Sequence, residues 1–369
     1  MGSERVSMNA TYSRILAAAL LATVSLVATT SLRGQEPTGP QGGAQPAQNA
    51  PTSQAPPAPT PPPQAGVAIS VESPIVTVDA VATTQHGDLL MGLKKENFKI
   101  TDDGVPQTIT GFNAGDSPIT MVVLMEFSSR AYGFFASYAK YWAEALFPNL
   151  QQRDWVALET FDIKTRLEVD FTQDKNEVRN AIYHLFFPGF SESNVFDALL
   201  ETTDRLKDVK GKKSILLLAS GIDTFSKHTL DQTFKELRQS DVPIFCVGLG
   251  KVFTNVRELR GSQRSEIDYL QAENELKTFS SMTGGFAWFP QFDGEIPGIF
   301  QSVASFLRHQ YNLSYTPTNG NDGKYHKIKV ELVAPDGGPL TVLDQKGKKQ
   351  KYVVYAREGY QAPKAGVGD

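Results

Sequence analysis

The chain has 369 residues, 40% hydrophobic and 21% charged, which is enough apolar material for a packed core. Its formal net charge of −4 excludes a general nucleic-acid binder, which needs a Lys/Arg-rich face. The single cysteine, Cys246, excludes an intrachain disulfide; export stays open, because a chain of this size can be stable on its core alone.

Residues 1–34 read as a secretory signal peptide. Arg5 and Arg14 supply positive charge, Ile15 to Ala28 form an apolar run broken only by Thr23 and Ser25, and small residues continue to Ser31. The run is short for a transmembrane helix, so no membrane span is expected after signal removal. Residues 35–66 are dominated by Pro, Gln, Ala and Gly, including the run Pro56 to Pro63. They have little to bury and favour extended conformations, so they read as a disordered linker; a ligand for a proline-recognition domain is the sharper alternative.

From residue 67 the texture becomes β. Ile75 to Val81 alternates apolar and polar, Gly87 marks a turn, Phe98 to Ile100 is strand-like, Asp102-Asp103-Gly104 is a turn, and Gln107 to Phe112 is another strand. Residues 67–115 hold too few strands to be stable alone. Residues 116–310 alternate strand and helix. Ile119 to Glu126, Ser214 to Ala219 and Pro243 to Leu249 are near-continuous apolar runs, as in strands covered on both faces. Trp155 to Phe161 and Leu167 to Phe171 form a hairpin candidate, and Phe286 to Phe289 a short strand. Helices are expected over Phe134 to Leu146, from Asp174 as N-cap to Phe187, Phe196 to Lys207, Leu230 to Ser240, Ile267 to Met282 and Ile296 to His309. Residues 311–363 return to β, with Tyr311 to Tyr315, Tyr325 to Val333 and Lys351 to Ala356. The order predicts an α/β fold: a doubly wound, mostly parallel, Rossmann-like sheet inserted in a small split β-sandwich-like domain whose halves complete one another.

The element order resembles a von Willebrand factor A domain, and more closely the VWFA-related proteins of acidobacterial type. The resemblance rests on Val76 to Val81, Leu93 to Phe98 with Asp102 to Gln107, Asp170 to Asp174, Phe196 to Leu199, Leu216 to Ser226, Thr283 to Gly285 and Tyr355 to Pro363. It implies a metal-ion-dependent adhesion site at the carboxyl ends of the strands: Asp-x-Ser-x-Ser after the first buried strand, a Thr in a second loop, and an Asp after a later strand. Such a site surrounds a hard cation with hydroxyl and carboxylate oxygens and leaves one position for a partner's carboxylate.

This sequence departs from that pattern. Glu126 stands for the first Asp, Ser128 is kept, Arg130 replaces the second serine, Ser193 stands for the Thr, and Ala219-Ser220-Gly221 lacks the last Asp, with Asp223 two residues beyond. Losing a carboxylate and gaining a guanidinium moves the site about two charges toward positive; a cation beside Arg130 would be repelled by roughly 4 kcal/mol per unit-charge pair at an intermediate dielectric. Arg130, four residues past Glu126, is expected to pair with it in place of a metal. The adhesion site is therefore read as degenerate, with no cofactor; weak Mg²⁺ binding at two hydroxyls is the alternative if Arg130 turns to solvent.

Other chemistry is poorly supported. The five histidines show no HExxH or close pairing that would indicate zinc. Ser220 lacks the glycine two residues earlier, where Leu218 stands, and has no assignable base. Cys246 lies mid-strand among apolar neighbours, and Gly248-Leu-Gly250 is too short for a dinucleotide fingerprint. Partner contacts are expected at Arg130, Tyr132, Phe134 and Ser193, and in the polar insertion Lys251 to Glu266. The reading is a non-catalytic protein-binding module, adhesive or interacting, of an exported protein that is periplasmic, envelope-associated or secreted, with an unidentified protein ligand. A structural scaffold of an envelope complex is the alternative, and a serine hydrolase a remote one.

Overall fold

The computed structural model describes residues 75–129, 141–185, 187–248, 263–318, 322–344 and 346–364. The expected signal segment and linker, the positions Arg130, Tyr132 and Phe134, and residues 251–262 of the polar insertion lie outside the described residues.

Four strands come first: β1 (Val76–Thr84), β2 (Phe98–Asp102), β3 (Val105–Gln107) and β4 (Ile109–Asn113). The α/β region follows with β5 (Ile119–Glu126), a helical stretch over residues 141–146, β6 (Trp155–Phe161), β7 (Thr165–Thr172), α1 (Lys175–Tyr183) and α2 (Val195–Leu206). It continues with β8 (Lys212–Ala219), α3 (Leu230–Leu237), β9 (Ile244–Gly248), α4 (Gln263–Thr283), β10 (Ala287–Trp288) and α5 (Ile296–Arg308). The chain closes with β11 (Tyr311–Tyr315), β12 (Tyr325–Leu332), β13 (Val342–Leu343), β14 (Lys349–Gln350), β15 (Tyr352–Ala356) and β16 (Gly359–Gln361).

The central sheet has the order β10-β9-β8-β5-β6-β7; all neighbours are parallel except β7, which returns antiparallel to β6. β5 is apolar almost throughout because helices cover both of its faces. The two-residue period sends Met121, Val123 and Met125 to one face, with Leu216, Leu218, Phe245 and Val247. Trp142 and Leu146, Ile182 of α1, and Phe300 and Val303 of α5 pack there. Val122 and Leu124 face the other way with Ile215, Leu217 and Cys246, under Leu199 of α2, Leu237 of α3 and Phe279 of α4. Burial pushes the Cys246 thiol up to about 12, which suits a structural thiol and not a nucleophile. Among the described residues no helix is long and apolar enough to cross a membrane.

Eight of the remaining strands form two four-stranded sheets, β15-β1-β11-β4 and β16-β12-β2-β3, each drawing strands from both sides of the α/β region, and β13 pairs with β14 in a separate two-stranded sheet. Val78, Ala80, Ile100, Leu313, Tyr315 and Ile328 share one core between them. β1 alternates at its start and is buried on both faces further on, because Ala80 and Ala82 face this core while Val81 enters the core of the central sheet.

Three local expectations need correction. The helix from Asp174 ends at Tyr183, short of Phe187, which precedes Pro188 and is disfavoured in helical conformation. The Leu230 helix ends at Leu237, short of Ser240. The expected strand over Gln107 to Phe112 is two strands, Val105–Gln107 and Ile109–Asn113.

The amino end of the central sheet is fixed by a buried carboxylate. Asp154, immediately before β6, accepts from Ile119 N at 3.0 Å and Gln151 N at 2.7 Å. Arg308, the last residue of α5, meets it at 2.5 Å, with 1% of the Asp154 side chain and 11% of the Arg308 side chain exposed. Removing one partner leaves the other charge buried. Asp154→Ala should therefore cost about 3 kcal/mol or more in urea denaturation, and the double variant Asp154→Ala/Arg308→Leu should lose less than the sum of the single losses.

Candidate functional site

In an open α/β sheet, ligands bind outside the carboxyl ends of the strands where the strand order reverses. Here the chain runs outward from β5 through β6 and β7, then crosses back to β8, so the reversal lies between β5 and β8. Glu126 is the last residue of β5, and Ser220 directly follows β8.

These residues meet. Glu126 Oε1 accepts from Ser128 Oγ at 2.8 Å, and Oε2 accepts from the backbone N and the Oγ of Ser220, both at 2.7 Å. Ser220 Oγ in turn accepts from Ile222 N at 3.3 Å. Glu126, Ser128, Ser193 and Ser220 are each at most 2% exposed. The Glu126 carboxylate thus reaches from the end of β5 to the residue that follows β8. Three hydrogen bonds to one buried carboxylate tie the ends of β5 and β8 together.

Ser193 is held by its backbone. Its N donates to Thr224 Oγ1 at 2.9 Å, and its carbonyl accepts from Thr224 N and Phe225 N at 2.8 and 2.9 Å. Its Oγ is buried with no hydrogen-bond partner among the described residues. Nearby, Ser129 N donates to Phe190 O at 2.7 Å, which draws the post-β5 loop against the loop that carries Ser193.

Asp223 turns away from Glu126. Its Oδ1 accepts from Ser226 Oγ at 2.5 Å, and Ser226 Oγ accepts from Asp197 N at 3.1 Å. The pair thus caps the amino end of α2 from a distant loop. Burial pushes the Asp223 carboxyl up, and the neighbouring Asp197 charge adds to the rise. Asp197 accepts from the backbone N of Lys227 and His228 at 2.9 and 3.1 Å, and from His228 Nδ1 at 2.7 Å. Burial opposes it, but these bonds hold the Asp197 carboxyl below its usual range. An open cleft beside this loop is lined by Phe196, Gly221, Asp223, Asp268 and Glu275. Gly221 adopts a φ of +82°, and a Cβ there would stand 2.9 Å from Leu276 of α4, so the close approach of helix and loop requires glycine.

Of the positions predicted from sequence, Glu126, Ser128 and Ser220 are bonded together, Ser193 is held beside them through Thr224, and Asp223 belongs to the α2 cap. Arg130, Tyr132 and Phe134 lie outside the described residues. Sequence reasoning missed Thr224, Ser226, Asp197 and His228, which position the second and third loops. For Thr224, Ser226 and His228 the signal was the cluster Asp223 to His228, rich in side chains that bond to backbone, a few residues after a buried strand.

Residues 120–281 match the family model of the von Willebrand factor type A domain. No curated protein matches the chain. Among solved structures, it is similar to a von Willebrand factor type A protein from Catenulispora acidiphila at 12% identity and a TM-score of 0.41, over 76% of this chain and 73% of that one. It is also similar to the vWF domain of the type V pili tip protein Mfa5 from Porphyromonas gingivalis, at 12% identity and a TM-score of 0.38, over 52% of this chain and 95% of that one. The PilB minor pilin from Streptococcus sanguinis is similar at 10% identity and a TM-score of 0.38, over 53% of this chain and 62% of that one.

Replacing the Glu126 carboxylate with a carboxamide sets an NH₂ group against donors from Ser128 or Ser220. Glu126→Gln should lose about 2–3 kcal/mol, the range for charge-assisted bonds to a buried group. An unchanged urea midpoint would show that the carboxylate does not hold the loops together.

Proposed function

We propose that this chain, which carries a von Willebrand factor type A domain over residues 120–281, is a non-catalytic protein-binding module of an exported protein and recognises its ligand without a resident metal. The observation that supports this best is that both oxygens of the Glu126 carboxylate accept hydrogen bonds from the chain's own residues, Oε1 from Ser128 and Oε2 from Ser220. At the positions where the family arranges oxygens around a cation, this chain directs its hydroxyl protons onto its own carboxylate. The other acidic candidate, Asp223, serves the α2 cap. Among the described residues at these positions, the Ser193 hydroxyl is the side-chain oxygen left without a hydrogen-bond partner, whereas a hard divalent ion takes about six oxygen ligands.

In this reading Arg130 carries the recognition. It stands four residues after Glu126 in the sequence, and a guanidinium there can take a partner's carboxylate in a bidentate pair, replacing the metal bridge with a direct contact. Tyr132 and Phe134, two and four residues further along the sequence, supply the apolar contacts in this reading. Export rests on the charged, apolar and small-residue order of residues 1–34. A scaffold role through the two outer sheets is the second reading; it predicts a ligand indifferent to residues 126–130. Hydrolysis at Ser220 has little support, since the residue is 2% exposed and its hydroxyl is bonded to a carboxylate in place of an imidazole base.

Pull-down from envelope extracts should recover a partner with the wild-type chain and lose it with Arg130→Ala, while circular dichroism of that variant stays native. Titration with Mg²⁺ should give no site in the micromolar range. A micromolar Mg²⁺ site that disappears in Glu126→Gln, or partner capture unaltered by Arg130→Ala, overturns the proposal.

A further inference from the structure

A second polar centre lies in the outer sheets. Asp102 ends β2, Asp103 opens the following turn, and His326 sits on β12, which pairs with β2. His326 Nδ1 stands 3.0 Å from Asp103 Oδ2 and 3.6 Å from Asp102 Oδ1. The three ligand atoms lie within 4.8 Å of one another. Ligands on a tetrahedral ion with bonds of about 2.0–2.1 Å stand roughly 3.3 Å apart, so two of these edges already bracket the required value.

The outward-facing atom of each group is anchored. His326 Nε2 meets Asp322 Oδ1 at 2.9 Å. Asp102 Oδ2 accepts from the hydroxyls of Tyr315 and Tyr360 at 2.9 and 3.0 Å. Burial and the Asp102 carboxylate push both phenols up, so both remain donors. Asp103 Oδ1 accepts from Lys327 N at 2.9 Å, and the His326 ring stacks on Tyr360 at 5.3 Å between centroids. A carboxylate on the far nitrogen of a histidine and hydrogen bonds on the far oxygen of a carboxylate are the contacts that fix metal ligands in place. The side chains of Asp102 and His326 are 7% and 5% exposed, whereas that of Asp103 is 51% exposed, so the cluster opens to solvent on one side.

We propose that Asp102, Asp103 and His326 bind a divalent transition-metal ion of the zinc class, with the fourth position open to solvent beside Asp103. One imidazole and two carboxylates suit zinc, whereas calcium needs six to eight oxygens. Binding places the metal on Nδ1 and releases the proton shared between His326 and Asp103 to solvent. The histidine spacing carries no trace of this, since His326 and Asp103 are 223 positions apart.

The test is calorimetric titration of the full chain with Zn²⁺ at neutral pH, with Co²⁺ absorption as the coordination readout. One equivalent should bind in the micromolar range or tighter. Asp103→Asn, at an exposed position that keeps the fold, and His326→Gln should each weaken binding at least tenfold. Asp322→Asn, which touches no metal, should weaken it about tenfold, and Glu126→Gln should leave it unchanged. Absence of stoichiometric uptake by the folded wild-type chain, or an affinity that survives both Asp103→Asn and His326→Gln, overturns the proposal and leaves His326 as an imidazolium clamp between Asp103 and Asp322.

Discussion

A strand buried on both faces has only its two ends at which to place polar groups, and each end of β5 is governed by a buried carboxylate. At the amino end Asp154 accepts from Ile119 N and pairs with Arg308. At the carboxyl end Glu126 accepts from Ser128 and Ser220. A charge out of reach of water must be met by donors or counter-charges, and the donors come from neighbouring loops and helices. The first carboxylate thus joins α5 and the turn before β6 to the sheet, and the second joins the post-β5 and post-β8 loops. Where the loops of the candidate face sit is a consequence of satisfying Glu126.

The rest of that face follows by the same rule. The post-β8 loop turns at Gly221, and Thr224 and Phe225 then take the Ser193 carbonyl. Asp223 and Ser226 cap α2, whose first-turn N–H groups have no partners within the helix. Three loops from separate parts of the chain are thus joined to one another by hydrogen bonds between their described residues.

How much was legible in the sequence depended on how local the controlling interaction was. Ile119 to Glu126 could be read as a doubly covered strand because every residue reports the same environment. β16 could not: it is three residues long and starts at Gly359, where a Cβ would stand 2.2 Å from His326 O. Its cause is a close approach to β12, a fact of tertiary packing. Within the site, Glu126, Ser128 and Ser220 were visible through the resemblance, whose pattern falls at the ends of two apolar runs. The part played by Ser226 was not, because its bond to Asp197 N spans 29 positions and leaves no periodic trace. Asp223 shows the same limit: proximity in sequence to Gly221 suggested the adhesion site, yet its carboxylate faces the helix cap.

The two polar centres differ in where their lone pairs are directed. Around Glu126 both carboxylate oxygens face donors of the same chain. Around His326 the anchored atoms point outward to Asp322, Tyr315, Tyr360 and the Lys327 N–H, while three ligand atoms are left facing one another. Convergent acceptors repel unless a proton or a cation stands between them, whereas acceptors met by donors need neither. The arrangement that calls for a positive charge is found in the outer sheets and not at the carboxyl end of β5.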